Sequence, residues 1–418
     1  MIEIQTKKNT AKVFTDDLDQ PTKQQIAATA RDPAYADARI RVMPDTHAGR
    51  GCVIGMTMTL NGRVSPSLVG VDIGCGMEVV KLRETDLDLP LLDAFIHEHI
   101  PAGKHVHETP RGTDLPLNDL VCASAVDIDR ALKNLGTLGG GNHFIEIDRD
   151  ADGGLYLVVH SGSRSLGSAV ANHYRDEAYK YHLKKARKAR RVDTRDRLDM
   201  EIDPFDVTRF GVDAYGDDPR SFDPAATKAT RRGHREKLPV KWETATCEGS
   251  LFENYLHDLA IAVKFAEENR CRIAKSICDG LGLHVEERFS CVHNYIDDHR
   301  ILRKGAISAR LGERVFIPLN MRDGALIGRG LGNPDWNFSA PHGAGRACSR
   351  TDARHAYDVE AYQAVMRDAG VYTTTATKET LDECPMAYKS MDRILPHLGA
   401  CVTVESHVRP VYNFKAGD

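Results

Sequence analysis

The stretch LYLVVHSGSRSLG, residues 155–167, decides how this chain is read. Residues 155–160 form an apolar run of strand length that ends on His160. A helical pattern then runs from 167 to about 191, turning strongly basic at KKARKARR (184–191). Strand followed by helix could begin a βαβ array, but neither flank continues a regular alternation. Upstream, CVIGMTMTL (52–60) and GMEVVKL (76–82) are short strand-type runs interrupted by glycine. Downstream, residues 192–246 are rich in Asp, Pro and Arg, with little apolar material to form a core. Apolar residues at helical spacing resume from 248 to about 279, strand-type segments return over 289–331, and a helix is expected near 357–368. We find no internal repeat or low-complexity linker. The expected fold class is therefore α+β: a single large composite domain over 1–418, with mixed β-sheets, surrounding helices and a polar, basic insertion at about 184–246.

Composition narrows the classes. The 41% hydrophobic and 28% charged residues suit a water-soluble globular protein. No apolar run approaches the length of a membrane span, so no membrane partner is expected. The opening MIEIQTKKNT lacks the apolar centre of an export signal, and a cytoplasmic location is expected. The ten cysteines are scattered without a C-x-x-C pair, which suits reduced thiols, a few of them ligands or nucleophiles. A net charge of −4 offers no general attraction to nucleic acid, so any basic surface must be local.

The chemistry-bearing residues sit beside glycines or at strand ends. MPDTHAGRG carries Asp45 and His47; VGVDIGCGM carries Asp72 and Cys75; LGGGNHFIEI carries Asn142, His143 and Glu146. His160 closes the strand quoted first, CVHNYI supplies His293 and Asn294, and SAPHGAGR (339–346) frames His342 and Arg346 in small residues. Any one of these also reads as a satisfied turn or core residue. Taken together they admit an economical use in metal binding. Asp72 would give a hard oxygen, Cys75 a soft thiolate, and His143, His160 and His293 imidazole nitrogens. Such a set suits Mn2+, Zn2+ or Fe2+ better than Mg2+ or Ca2+. Structural zinc favours closely paired ligands, which are missing, so ligands drawn from distant segments point to a catalytic site, with two ions sharing Cys75 as one arrangement. Glycine turns, together with Asn142, Arg164 and Arg346, are also suited to phosphate. There is no G-x-x-x-x-G-K-[ST] loop and no G-x-S-x-G elbow.

In order along the chain, MPDTHAGRG, VGVDIGCGM, LGGGNHFIEI, HSGSRSLG, CVHNY, RKGAISAR, RGLGN, HGAGR and AYK resemble the motifs of the RtcB family of RNA ligases, from about residue 40 to the C-terminus. The resemblance implies an RtcB-like fold and a GTP- and Mn2+-dependent enzyme. Such an enzyme joins RNA ends bearing a 2′,3′-cyclic phosphate or 3′-phosphate to 5′-hydroxyl ends, in tRNA splicing or RNA repair, and some members need an activator protein. It implies that His342 carries GMP as a phosphoramidate and that two Mn2+ ions bind Asp72, Cys75, His143, His160 and His293, with Cys75 as the bridge. It further implies nucleotide contacts from Asn142, Glu146 and Arg346, stacking of guanine on Tyr388, an edge contact from Lys415, and Asp45 near the incoming hydroxyl. The match departs from the family where PGSMG is usual: this chain has PLNMRDGALIG, with Asn320 and Ala325 at the serine positions. Pro341 also precedes His342, where the family usually has SCSHGAGR. The basic runs at 184–191 and 228–237 read either as a solvated face or as an arm for RNA phosphates. Two other functions fit the same residues: a metallophosphodiesterase that opens cyclic phosphates without sealing, and an RNA-binding factor without catalysis.

Overall fold

The computed structural model describes residues 1–193 and 241–417. Most of the expected insertion at about 184–246, including the basic run 228–237, lies outside the described residues.

Alternation of side chains along extended runs builds two main sheets. The larger has seven strands, in the order Val285–Val292, Gly76–Leu82, Leu155–Ser161, Phe144–Arg149, Val402–Lys415, Gly324–Gly330 and Arg314–Asn320, every pair antiparallel. The 14-residue strand Val402–Lys415 pairs with Gly324–Gly330 through its first half and with Phe144–Arg149 through its second. One chain segment thereby joins both halves of the sheet. The second sheet has six strands, in the order Ile2–Gln5, Thr10–Val13, Ile40–His47, Ile54–Thr59, Ile301–Lys304 and Asn294–Ile296. A short ribbon pairs Ala306–Ser308 with Ser339–Pro341, and Pro341 occupies its last rung, where a missing N–H costs no interior ladder bond.

The helical pattern read from 167 is the helix Arg164–Asp193, and that read from 248 is Ser250–Leu281, which stops at Gly282 in the left-handed conformation (φ 65°). The helix expected near 357–368 is Val359–Asp368, and a separate short helix, Arg350–Ala356, precedes it. Asp358 separates them because its side chain accepts from the Ala361 N–H and starts the second helix. Helices Gln20–Arg31 and Leu89–His99 had no counterpart in the reading of the sequence; each is capped by an aspartate, Asp19 and Asp88. Mixed sheets flanked by helices bear out the α+β expectation.

Register decides where the site falls. Gly76 lies opposite both Ser161 and Val292, and Phe144 opposite both His160 and Lys415. In an antiparallel sheet the starts of some strands and the ends of others share one edge. Cys75 and His143 precede strands, Lys415 ends one, His160 is the last residue but one of another, and His293 follows one, so all five gather at that edge. The long helix Ser250–Leu281 braces it with polar residues inside its buried face. Arg270, fully buried, donates to the Gly74 carbonyl (2.7 Å) and the Ser161 carbonyl (3.1 Å). Asn269 accepts from the Gly136 N–H (2.7 Å) and donates to the Thr137 carbonyl (3.1 Å). These bonds satisfy backbone that the strand ladder leaves unpaired, and they tie the loops carrying Asp72, Cys75 and His143 to the strand end carrying His160.

Candidate active site

A cavity of about 310 Å3 opens at this edge, lined by His47, Asp72, Cys75, Asn142, Glu146, His160, His293, His342, Arg346, Tyr388 and Lys415, among others. The structure therefore brings nearly all of the residues singled out in the sequence to one place. Asp45 and His143 stand immediately behind its wall through their bonds to His342 and Asp72.

Four imidazoles form a connected row, with ring centroids 5.3 Å apart for His143 and His160, 5.2 Å for His160 and His293, and 4.9 Å for His293 and His342. The Cys75 sulfur is 3.3 Å from His160 Nε2 and 3.6 Å from His143 Nε2, and His143 Nε2 is 3.0 Å from Asp72 Oδ2. The tautomers follow from the outer contacts. His160 Nδ1 donates to the Asn142 carbonyl (3.0 Å), leaving its Nε2 lone pair aimed at Cys75, and His143 Nδ1 donates to the Leu138 carbonyl (2.8 Å), with its Nε2 facing Cys75 and Asp72. Burial pushes His160 and His293 well below the ordinary histidine range, so both are neutral donors at neutral pH. Burial, then the neighbouring Asp72, pushes the Cys75 thiol well up, so binding a cation there displaces a proton. Asp72 is half-buried; burial opposes its charge, but His143, with Cys75 and Arg164, outweighs this and brings it to about 2.

The donors fall into two sets, Cys75 with His160 and His293, and Asp72 with Cys75 and His143, the ligand atoms of each lying within 4.8 Å of one another. Cys75 belongs to both. Carboxylate, imidazole and a thiol that gives up its proton to a cation would suit borderline divalent ions, with Cys75 available to both sets. Gly162 makes room for this: a Cβ there would lie 2.0 Å from Asp72 Oδ1.

His342 leaves the short ribbon and turns its ring edge to Asp45, whose Oδ2 is 2.7 Å from Nδ1. Asp45 is wholly buried, and its Oδ1 has no partner among the described residues. An ionised carboxylate only accepts, so Nδ1 carries the proton and Nε2 keeps its lone pair. The approach depends on Gly345 at φ 74°, where a Cβ would lie 2.0 Å from the Asp45 carbonyl oxygen. Lys389 of the AYK motif fastens the same strand by donating to the Thr46 carbonyl (2.7 Å).

At the far end of the cavity, one residue that the sequence reading missed organises several that it named. Buried Glu383 accepts from Tyr388 Oη (2.5 Å) and pairs with Arg346 (3.1 Å), Arg350 (2.9 Å) and Lys415 (3.1 Å). Burial opposes its charge, but Lys415, Arg350 and Arg346 outweigh this and hold it at about 2. The Arg346 guanidinium also lies over the Tyr388 ring, 5.3 Å from its centroid. Glu383 gave no sequence signal because an acid in the polar run TLDECP looks solvent-facing. Asn142 is exposed at the mouth, and its carbonyl holds His160 and Lys415. Asn320 lines the cavity and folds its own turn by accepting from the Arg322 and Asp323 N–H groups, whereas Ala325 is buried in the sheet opposite Val408.

Fold and site together define a protein organised around a thiolate, carboxylate and imidazole cluster beside a carboxylate-backed histidine. A family model described as tRNA-splicing ligase RtcB matches residues 25–120 and 112–416, and the chain belongs to that family. It is similar to the RNA-splicing ligase RtcB of Escherichia coli K12, 29% identical with 94% of each chain covered. It is also similar to the tRNA-splicing ligase RtcB of Aeropyrum pernix, 26% identical over 88% of this chain and 86% of that one. The RNA-splicing ligase RtcB2 of Escherichia coli ATCC 25922 is 26% identical over 96% of this chain and 94% of its own. Among the described residues no helix is long and apolar enough to cross a membrane.

Proposed function

We propose that this protein is a GTP- and Mn2+-dependent RNA ligase that joins 3′-phosphate or 2′,3′-cyclic phosphate ends to 5′-hydroxyl ends through a histidine–GMP intermediate, acting in the cytoplasm. The observation that carries the reading is the Asp45–His342 pair beside a cluster sharing the Cys75 sulfur. His342 Nε2 attacks the α-phosphorus of GTP; the P–N bond forms as the bond to pyrophosphate breaks, and Asp45 stabilises the charge gained by the ring. A 2′,3′-cyclic end is first opened by water to a 3′-phosphate; an oxygen of the RNA 3′-phosphate then takes GMP from Nε2, and the 5′-hydroxyl oxygen attacks the phosphorus of the RNA 3′-phosphate, losing its proton as GMP leaves. When bound by Asp72, Cys75, His143, His160 and His293, Mn2+ offsets phosphate charge and orients the RNA ends. In this reading Arg346, Lys415 and Tyr388, held by Glu383, and Glu146 surround the nucleotide, and Asn142 stands at its entrance. The basic run at 184–191 and its continuation serve as an arm for RNA phosphates within a single ligase domain.

Incubation with α-labelled GTP and Mn2+ tests the proposal. Acid-labile, alkali-stable label on the denatured chain, absent from His342→Ala, is expected. No label on a metal-loaded protein would overturn ligation and leave cyclic-phosphate opening as the activity to assay.

A further inference from the structure

Glu146 and Asp148 are both buried, 3% and 0% exposed, and sit two residues apart on Phe144–Arg149, hence on one face of the strand. Glu146 faces the cavity, and its Oε2 accepts from Asn413 Nδ2 at 2.6 Å across the directly paired strand. Neither carboxyl oxygen of Asp148 meets a donor among the described residues. Its polar neighbour is the Glu146 carboxyl, near enough for a hydrogen bond once one of the two carries a proton. Around this face lie Met77, Val79, Tyr156 and Val158, with the Tyr156 hydroxyl turned away to Asp150, and the charge of Lys415 favours ionised Glu146. Two buried carboxyls in contact do not both ionise, and the one in the apolar layer keeps the proton.

Building on the nucleotide reading above, we propose that Asp148 is a positioning residue for base selection: it remains protonated and donates to Glu146. Glu146 is thus left as an ionised acceptor for a base edge with two adjacent N–H donors, as guanine has. With Asn413 on one side and Asp148 on the other, both neutral donors, the Glu146 carboxylate is fixed in orientation and keeps lone pairs for the base. Adenine has a ring-nitrogen acceptor, N1, beside its amine, so a lone pair would face the carboxylate.

The test is competition binding of GMP, IMP and AMP to the Mn2+-loaded full chain at pH 8, for wild type, Asp148→Asn and Asp148→Leu. Asn keeps a neutral donor, and Leu removes it. Wild type and Asp148→Asn are expected to favour GMP over AMP alike, and Asp148→Leu to lose about tenfold of that ratio. An infrared C=O band of a protonated carboxyl, present in wild type and absent from Asp148→Asn, is the second readout and does not depend on binding. An unchanged ratio in Asp148→Leu, loss in Asp148→Asn equal to that in Asp148→Leu, a missing band, or failure to bind any nucleotide overturns the inference. Selective binding without label on His342 would instead remove the ligase reading and leave this one standing.

Discussion

Asp45 Oδ2 lies 2.7 Å from His342 Nδ1, joining residues 297 positions apart in the chain. The carboxylate is wholly buried while the imidazole reaches the cavity, so the pair has a fixed back and a working front. Orientation of the ring by a buried acid fixes which nitrogen attacks.

Asp45→Asn should therefore retain the fold and slow labelling of His342 on the order of 100-fold, because an amide can donate to Nδ1 and stabilise the wrong tautomer. Single-turnover rates of nucleotide transfer measure this. A loss below about threefold would remove Asp45 from the mechanism.

Metal content should report the sharing of Cys75. Cys75→Ala is expected to bind no Mn2+ tightly, whereas His143→Ala and His293→Ala each weaken one of two sites by about 10- to 100-fold. Gly162→Ala, which removes no donor but crowds Asp72, should resemble His143→Ala. Elemental analysis after dialysis against graded Mn2+ distinguishes these cases, and full occupancy in Cys75→Ala would rule out a sulfur bridge.

Glu383 makes a stability prediction. Its carboxyl is held at about 2, below the usual 4.5, so its contribution is complete above 4.5 and is lost as pH falls through about 2. Glu383→Gln leaves Arg346, Arg350 and Lys415 without their shared anion and should cost about 3 kcal/mol at neutral pH. Urea unfolding at pH 7 and pH 3 is the measurement; the wild-type advantage should shrink at the lower pH.

Glu146 predicts opposite trends for stability and for binding. Burial, partly offset by Asn413, lifts its carboxyl to about 7. The native state takes up this proton more readily than the unfolded chain, so the group's contribution to stability is complete below 4.5 and declines as pH rises through about 7. The ionised form accepts from guanine, so GMP affinity should weaken roughly tenfold per pH unit below about 7. Titration of GMP binding from pH 8 to pH 5.5 checks this, with Glu146→Gln expected to be weak and flat throughout.

Local pattern carried much of this molecule. The apolar run ending at His160 and the helical spacing after 248 needed only neighbouring residues to be legible, because strand and helix periodicities are written over a few positions. The candidate ligands were visible as well, since they stood beside glycines or at the ends of strand-type runs. Tertiary structure alone decided the partnerships. FIEIDR alternates as though one face met water, yet in the sheet Glu146 and Asp148 lie beside Val158 and Tyr156 on a face that is buried. Asp45 behind His342, Glu383 under Arg346 and Lys415, and Arg270 bracing Gly74 against Ser161 all join distant segments. Such contacts leave no periodic trace. They exist because antiparallel register brings starts and ends of remote strands to one edge, and the low polarity of that edge obliges each buried charge to find a partner there.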